Sequence, residues 1–170
     1  IYRGPARERI EHTGVECHWM GDYLEWVPQE VYGYASEHLG FQPNPDGRSE
    51  GTYSKYASLD DRIDAYHYYM DFIKFGLDRC TSDASREIRD GLISREEGVN
   101  LVRQFDAEVP HRYHAEFLEY TGLTQEEFDT VIDHWRSDHL WEKSNGAWVL
   151  KQSVWQEDTS GSSANYLKVA

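Results

Sequence analysis

Residues 51–98 read GTYSKYASLDDRIDAYHYYMDFIKFGLDRCTSDASREIRDGLISREEG, and this stretch decides the fold. Apolar side chains recur through its middle at spacings of three and four residues, which is typical of one buried helical face. These side chains are Ile63, Tyr66, Met70, Ile73 and Leu77. We therefore expect a helix over 59–78, with its neighbouring tyrosines in the core rather than stacked on a ligand.

The start of this helix carries residues that favour helix N-termini. Ser58 is a good N-cap, and Asp60 and Asp61 would complement the helix dipole in the first turn. The same two aspartates are also weak candidates for a magnesium site, since paired carboxylates are ligands for Mg²⁺. His111 and His114 stand one turn apart, but the sequence shows no third metal ligand beside them.

Helices dominate the rest of the predicted fold. A proline start, two capping-box sequences and several glycine stops predict further helices over 28–38, 82–90, 94–105, 110–121 and 124–136. Asn145-Gly146 between two alternating runs predicts a small hairpin over 140–150. We expect residues 1–27 to be a linker or a domain edge, 28–150 a helical region, and 151–170 a disordered tail.

Composition excludes several functional classes. The chain has 170 residues and a net charge of −14, which would repel a nucleic-acid backbone. No apolar run approaches the ~20 residues needed to span a bilayer, so we expect no membrane insertion and a soluble, cytoplasmic protein. Cys17 and Cys80 are far apart and outside any Cys-x-x-Cys pair, which indicates neither a disulfide framework nor a zinc site.

An ordered series of short motifs carries a family resemblance. The series is Gly-Thr-Tyr-Ser-Lys-Tyr at 51–56, Asp60-Asp61, Lys74-Phe75-Gly76, Arg79, Ser85, Ile88-Arg89-Asp90-Gly91 and Ser94-Arg95-Glu96-Glu97. It resembles the C-terminal part of the N-acetyl sugar amidotransferases, which are relatives of the ATP-pyrophosphatases. The resemblance implies that this mainly helical chain is the C-terminal portion of an α/β enzyme with an adenine nucleotide alpha hydrolase-like fold.

The nucleotide signature of that family, a Ser-Gly-Gly-x-Asp-Ser phosphate loop, does not occur in these residues. The chain also begins at Ile1 rather than at a methionine. We therefore expect the sites for ATP and Mg²⁺ to lie mostly outside the chain, in a longer enzyme, and residues 1–27 to be the edge of its truncated nucleotide-binding domain.

Cations are scarce in this acidic chain, and several of them lie within the motif series. Lys55 lies in a short turn flanked by tyrosines, and Arg79 comes just past a predicted helix end. With Lys74 and Arg89, they form a candidate pocket for an anionic nucleotide-sugar or a leaving pyrophosphate. Catalytic residues cannot be assigned from the sequence.

The resemblance implies a reaction in which ATP activates the acetamido group of a nucleotide-activated N-acetyl sugar. Ammonia from a separate glutaminase subunit would then give an acetamidino group, in lipopolysaccharide or nonulosonic acid biosynthesis. Two alternatives stay open: a non-enzymatic acidic helical module that docks a partner protein, and a fragment of a phosphate-loop enzyme that modifies tRNA.

Overall fold

The computed structural model describes residues 4–156, and the chain divides into two compact units, Ile1–Phe41 and Gln42–Ala170. The first unit contains helices α1 (Arg7–Thr13) and α2 (Pro28–His38), with one turn of 3-10 helix at Met20–Asp22 between them. The segment 1–27, expected to be a linker or domain edge, thus contains a short helix. The predicted start of α2 at Pro28 is confirmed.

In its described part, residues 42–156, the second unit is helical with one small hairpin, as the sequence predicts. Its elements are α3 (Asp64–Phe75), α4 (Arg79–Arg89), α5 (Arg95–Phe105), α6 (His114–Thr121), α7 (Gln125–His134), β1 (Trp141–Ser144) and β2 (Ala147–Leu150). The two strands pair antiparallel, with Trp141 opposite Leu150 and Ser144 opposite Ala147. Asn145 and Gly146 both have positive φ angles, as the tight hairpin turn requires.

Local capping signals fix several helix ends. Ser94 and Glu97 form a complete capping box at the start of α5, and Thr124 and Glu127 form another at the start of α7. Each box satisfies amide groups that the first helical turn leaves without a partner. These two predicted starts are confirmed.

The predicted start of α3 is wrong. Ser58 does not cap a helix: its φ angle is 54°, and its hydroxyl donates to the carboxylate of Asp64. Asp61 accepts a hydrogen bond from the Ile63 amide at 2.9 Å, which makes a local turn. The helix therefore begins only at Asp64, and Asp60 and Asp61 lie in the loop before it.

The predicted start of α4 is also wrong. Gly76 ends α3 in the left-handed conformation, and Asp78 caps a new helix whose first residue is Arg79. Arg79 therefore belongs to the first turn of α4 rather than to a loop between helices. Aspartate is a strong N-cap residue, which explains why α4 begins three residues before the predicted start at residue 82.

The main core forms where α3 meets α7 and the hairpin. It contains Tyr66, Tyr69, Phe72, Ile73, Phe128, Ile132, Trp141 and Leu150. Ile63 and Leu77, expected in this stripe, lie outside α3 and are 41% and 47% exposed. The burial of the α3 tyrosines is confirmed, and a smaller core of Cys80, Ala84 and Val102 joins α4 to α5.

Within residues 4–156, every helix is too short or too polar to cross a membrane. Both cysteines are free, Cys17 exposed and Cys80 buried. Most of the tail that we expect to be disordered, residues 157–170, lies outside the described residues.

Candidate functional site

The first motif of the series packs against the start of α4. We call this region the α4 junction, and it comprises Arg48, the motif residues Gly51 and Thr52, the N-cap Asp78 with the α4 residues from Arg79 to Asp83, and the acids Asp106 and Glu108. Thr52, Asp78, Cys80, Asp83 and Asp106 are buried within it. Buried polar groups require hydrogen-bond partners, and the contacts below supply most of them.

Glu108 ties the motif loop to the chain that follows α5. Its carboxylate accepts two hydrogen bonds from the Arg48 guanidinium, at 2.6 and 2.7 Å, and one from the Gly51 amide at 3.0 Å. The guanidinium also lies over the Phe105 ring, 4.6 Å from its centroid. Burial acts to raise the pKa of Glu108, but Arg48 and the Gly51 amide outweigh it and hold the pKa below its ordinary value.

Gly51 is where the loop meets α4. Its carbonyl accepts a hydrogen bond from the Cys80 amide at 3.1 Å. Its φ angle is +88°, and a Cβ atom here would lie 3.0 Å from Oδ2 of Asp78 and 3.1 Å from Cβ of Tyr68. Glycine is therefore required by both backbone conformation and space.

Asp106 caps α4 from a distance. Its carboxylate accepts hydrogen bonds from the amides of Asp78 and Thr81, at 3.2 and 3.1 Å, and from the Thr81 hydroxyl at 2.5 Å. These amides belong to the helix N-terminus, which has no intrahelical partners for them. Burial nevertheless raises the pKa of Asp106 above its ordinary value.

Asp78 is the more strongly perturbed acid. One carboxylate oxygen accepts from the Arg79 amide, whereas the other, Oδ2, is buried without a hydrogen-bond partner among residues 4–156. Burial raises the pKa of Asp78 to about 8, and the nearby Asp106 adds to the rise. The Asp78 carboxyl is therefore largely protonated near neutral pH.

Arg79 is held in one orientation by its neighbours. Its Nε donates to Oδ1 of Asp83 at 2.9 Å, and Oδ2 of Asp83 accepts from the Thr52 hydroxyl at 2.8 Å. The guanidinium lies 5.7 Å from the centroid of the Tyr68 ring, and the side chain is 33% exposed. Arg79 is thus held in place while a third of its side chain stays exposed.

Tyr56 of the first motif lies near Arg79. Burial raises the pKa of Tyr56 and the charges of Glu87 and Asp83 add to the rise, whereas the positive charges of Arg79 and Arg86 act in the opposite direction. Tyr56 and Arg79 belong to separate parts of the motif series, so the fold brings these two parts together.

The other predicted cations have different surroundings. Lys55 is exposed on the motif loop, and Arg89 is exposed in the last turn of α4. The Lys74 ammonium lies 4.6 Å from the centroid of the Trp135 ring, which follows α7, and thus has a different neighbour from Arg79. A common anion pocket for these four residues stays a prediction.

The predicted acidic pair lies on an open pocket of about 260 Å³. Asp60 and Asp61 line it together with Asp46, Glu50, Arg62, Asp64 and Arg112. In the part of the chain that the structure describes, no group of three or more His, Cys, Asp or Glu side chains is placed to hold a metal ion. Magnesium binding by the two aspartates stays a prediction.

The sequence interpretation missed the buried acids. Asp78 had a local signal, since an aspartate two residues after a helix-ending glycine favours a new N-cap. No local sequence signal indicates the burial of Asp106 and Glu108, because their hydrogen-bond partners lie 25 or more residues away in the chain.

Replacing Gly51 with alanine should destabilise the protein by about 2–4 kcal/mol, since a left-handed conformation costs about 1–2 kcal/mol and the new Cβ adds overpacking. Gly47 provides a matched control, because its φ angle is +96° but no heavy atom beyond its own and those of its two chain neighbours lies within 4 Å of the position that a Cβ would take. Gly47→Ala should therefore cost only about 1–2 kcal/mol. Urea unfolding of the two variants checks this, and equal losses would contradict the packing assigned to Gly51.

The raised pKa of Asp78 predicts a pH dependence of stability. Between the unfolded pKa of about 3.9 and the folded pKa of about 8, the folded state binds a proton that the unfolded state lacks. The contribution of Asp78 to the free energy of unfolding is therefore greatest below about pH 4 and falls until about pH 8.

Asp78→Asn keeps an oxygen for the Arg79 amide and removes this titration. Between pH 5 and 8, the free energy of unfolding should fall for both proteins. The fall should be larger for the unmodified chain than for Asp78→Asn, by at least about 1 kcal/mol. Asp90→Asn, at the exposed end of α4, should follow the unmodified chain. Parallel pH profiles for the unmodified chain and Asp78→Asn in urea unfolding would show that Asp78 is ionised when folded.

Comparisons with known proteins place most of the α4 junction within a family. A family model described as the C-terminal domain of WbpG-like lipopolysaccharide (LPS) biosynthesis proteins matches residues 50–154, which include the motif series and all the helices from α3 to α7. A search of curated proteins finds no match. The chain therefore belongs to the WbpG-like family of LPS biosynthesis proteins, and residues 50–154 correspond to the C-terminal domain of that family.

Proposed function

We propose that this chain is part of an ATP-dependent amidotransferase that acts on a nucleotide-activated N-acetyl sugar in LPS biosynthesis. The observation that carries the proposal is the family match over residues 50–154. The motif series that resembles the N-acetyl sugar amidotransferases falls within this range. The match supports the biosynthetic role, and the resemblance supplies the reaction.

The proposed reaction proceeds in two steps. The acetamido oxygen attacks the α-phosphorus of ATP, pyrophosphate leaves, and the amide nitrogen loses a proton. Ammonia then adds to the activated carbon, and AMP leaves with the former acetamido oxygen, so that an acetamidino group remains. A separate glutaminase would supply the ammonia, since neither Cys17 nor Cys80 is placed in a Gly-rich elbow.

The start of α4 is a poor site for ATP. A phosphate-binding loop needs consecutive backbone amides at a helix N-terminus, and the amides at the start of α4 are already bonded to Asp78 and Asp106. Because the Ser-Gly-Gly-x-Asp-Ser loop does not occur in these residues, we assign the phosphate loop and its Mg²⁺ to residues outside this chain. The role proposed for this chain is to present fixed cations to the reacting anions.

Arg79 is the cation best suited to this role. The contacts with Asp83 and Tyr68 limit its motion, while a third of the side chain stays exposed. A preorganised donor stabilises developing charge more effectively than one that must reorient. Lys55, Lys74 and Arg89 complete the proposed set.

The test measures amidino-sugar formation by the protein that carries this domain, with ATP, Mg²⁺ and an ammonium salt in place of the glutaminase. Lys55→Ala, Lys74→Ala and Arg79→Ala should each lower turnover about 10²–10³-fold if the side chain faces the reacting anions. Arg79→Lys should also be impaired, because a point charge cannot replace a planar fork.

Arg79→Ala needs a stability control, because it leaves the buried Asp83 without its cation. We expect it to lose about 1–3 kcal/mol of stability, whereas the exposed Lys55→Ala should lose little. Arg103→Ala, on the exposed side of α5, should keep full activity. If turnover is unchanged in all three alanine variants, the anion pocket is refuted. If the unmodified protein forms no amidino product, the amidotransferase reaction is refuted.

A further inference from the structure

A second pocket, of about 370 Å³, shares no lining residue with the α4 junction. It is formed by residues of α3, α6, α7 and β2, with the segment before α6. Aromatic and aliphatic side chains make up half of its lining, namely Tyr69, Val109, Pro110, Phe128, Ile132 and Trp148. The pocket is large enough for one long side chain or a small organic molecule, since small-ligand sites usually enclose about 300–1,000 Å³.

Two carboxylates line this pocket one helical turn apart. Asp129 and Asp133 are four residues apart on α7, so their side chains lie on the same helix face. Asp133 is paired with Arg136 and accepts a hydrogen bond from the Trp148 indole N–H at 3.0 Å. Asp129 accepts from the side-chain amide of Gln125 at 2.9 Å and forms no ion pair within residues 4–156. The two carboxylates therefore share a single paired cation.

These three charged groups all act on the Tyr69 hydroxyl. Burial raises the pKa of Tyr69, and the positive charge of Arg136 acts in the opposite direction. Asp129 and Asp133 add to the rise. With the two lining histidines uncharged, the charges of the pocket sum to −1. Like charges four residues apart destabilise a helix, so a bound cation would relieve the repulsion between the two carboxylates, whereas a bound anion would add to it.

The pocket already holds one guanidinium, and its contacts indicate which cation fits. The Arg136 guanidinium lies 5.3 and 5.7 Å from the ring centroids of Trp141 and Trp148, and it donates to Asp133. Planar guanidinium groups stack on aromatic faces and pair with carboxylates, whereas an ammonium is a strongly hydrated point charge. Asp129 offers a second carboxylate within the same aromatic lining, and this one is exposed.

We propose that this pocket binds a guanidinium group on an apolar stem, with the stem against the aromatic lining and the guanidinium paired with Asp129. The arginine side chain of a protein and a small guanidino compound share this chemistry. The ligand has the opposite charge to the anions assigned to Arg79, so the two sites bind different molecules.

Phenylguanidine is the first probe, and phenylurea, which has nearly the same shape without the charge, is its matched control. The indole N–H of Trp148 gives a direct readout, because Trp148 lines the pocket and donates to Asp133. In nitrogen–proton correlation spectra of the full chain, we expect phenylguanidine to shift this signal saturably, with a dissociation constant of about 1–10 mM. Phenylurea should bind at least about tenfold more weakly, because it cannot form the ion pair.

Two charge-removing variants of α7 test the role of Asp129. Asp129→Asn should weaken phenylguanidine binding about tenfold, as expected for a lost charge-assisted hydrogen bond. Glu126→Gln is the matched control, since Glu126 is exposed on the same helix but does not line the pocket. It removes the same charge and should change the affinity less than about twofold, because exposed charges at a distance are screened.

A second pair of probes distinguishes the two sources of the guanidinium. The blocked tripeptide acetyl-Gly-Arg-Gly-amide presents an arginine as a protein would, and the same peptide with citrulline in place of arginine is its uncharged control. Binding of the arginine peptide that depends on Asp129 would support the site and identify a protein partner as its ligand. Binding of phenylguanidine alone would support the site and identify a small guanidino compound.

Three results would overturn the proposal. The first is no saturable shift of the Trp148 signal by phenylguanidine or the arginine peptide up to about 50 mM. The second is equal affinity for phenylguanidine and phenylurea, and the third is an equal change of affinity in Asp129→Asn and Glu126→Gln. The first two results come from the unmodified chain, so they do not depend on the folding of a variant.

Discussion

Two carboxylates on either side of Ala107 hold the motif loop and the start of α4 in one arrangement. Asp106 accepts hydrogen bonds from the first turn of α4, and Glu108 accepts them from Arg48 and the Gly51 amide. Ala107 has a φ angle of +70°, a conformation that costs a non-glycine residue about 1–2 kcal/mol. Such a conformation persists only where surrounding contacts over-determine it, and the two carboxylates supply those contacts.

This arrangement explains why short motifs far apart in sequence form one structural unit. The first motif contributes Gly51, at a position that only glycine fits, and Thr52, which bonds Asp83 on α4. Asp83 in turn holds Arg79. Much of the motif series therefore has a structural role, and that role fixes the orientation of the cation to which we assign a function.

The sequence predicts the helical class, the hairpin and the helix starts that depend on local caps. Ser94 and Thr124 cap α5 and α7 because both partners of each box lie within four residues. The prediction that Ser58 caps α3 was wrong because its hydroxyl bonds the Asp64 side chain. The prediction that Arg79 lies in a loop was wrong because Asp78 caps α4, whose first residue is Arg79.

The site was less predictable than the fold. The candidate cations could be named from the motif series, but the burial of Asp78, Asp83 and Asp106 depends on contacts between distant segments. The pocket lined by His114, Gln125 and Trp148 likewise joins α6 to α7 and β2. No local pattern in the sequence indicates such contacts, because helix periodicity and capping report only on neighbouring residues.

Amide hydrogen exchange tests the α4 junction most directly. The amides of Gly51, Cys80 and Thr81 are bonded to Glu108, the Gly51 carbonyl and Asp106 respectively. If the loop and α4 form one cooperative unit, these three amides should open with similar free energies, and Glu108→Gln should lower all three together. Rapid exchange of Gly51 beside a protected Thr81 would show that the loop opens independently and would contradict the account.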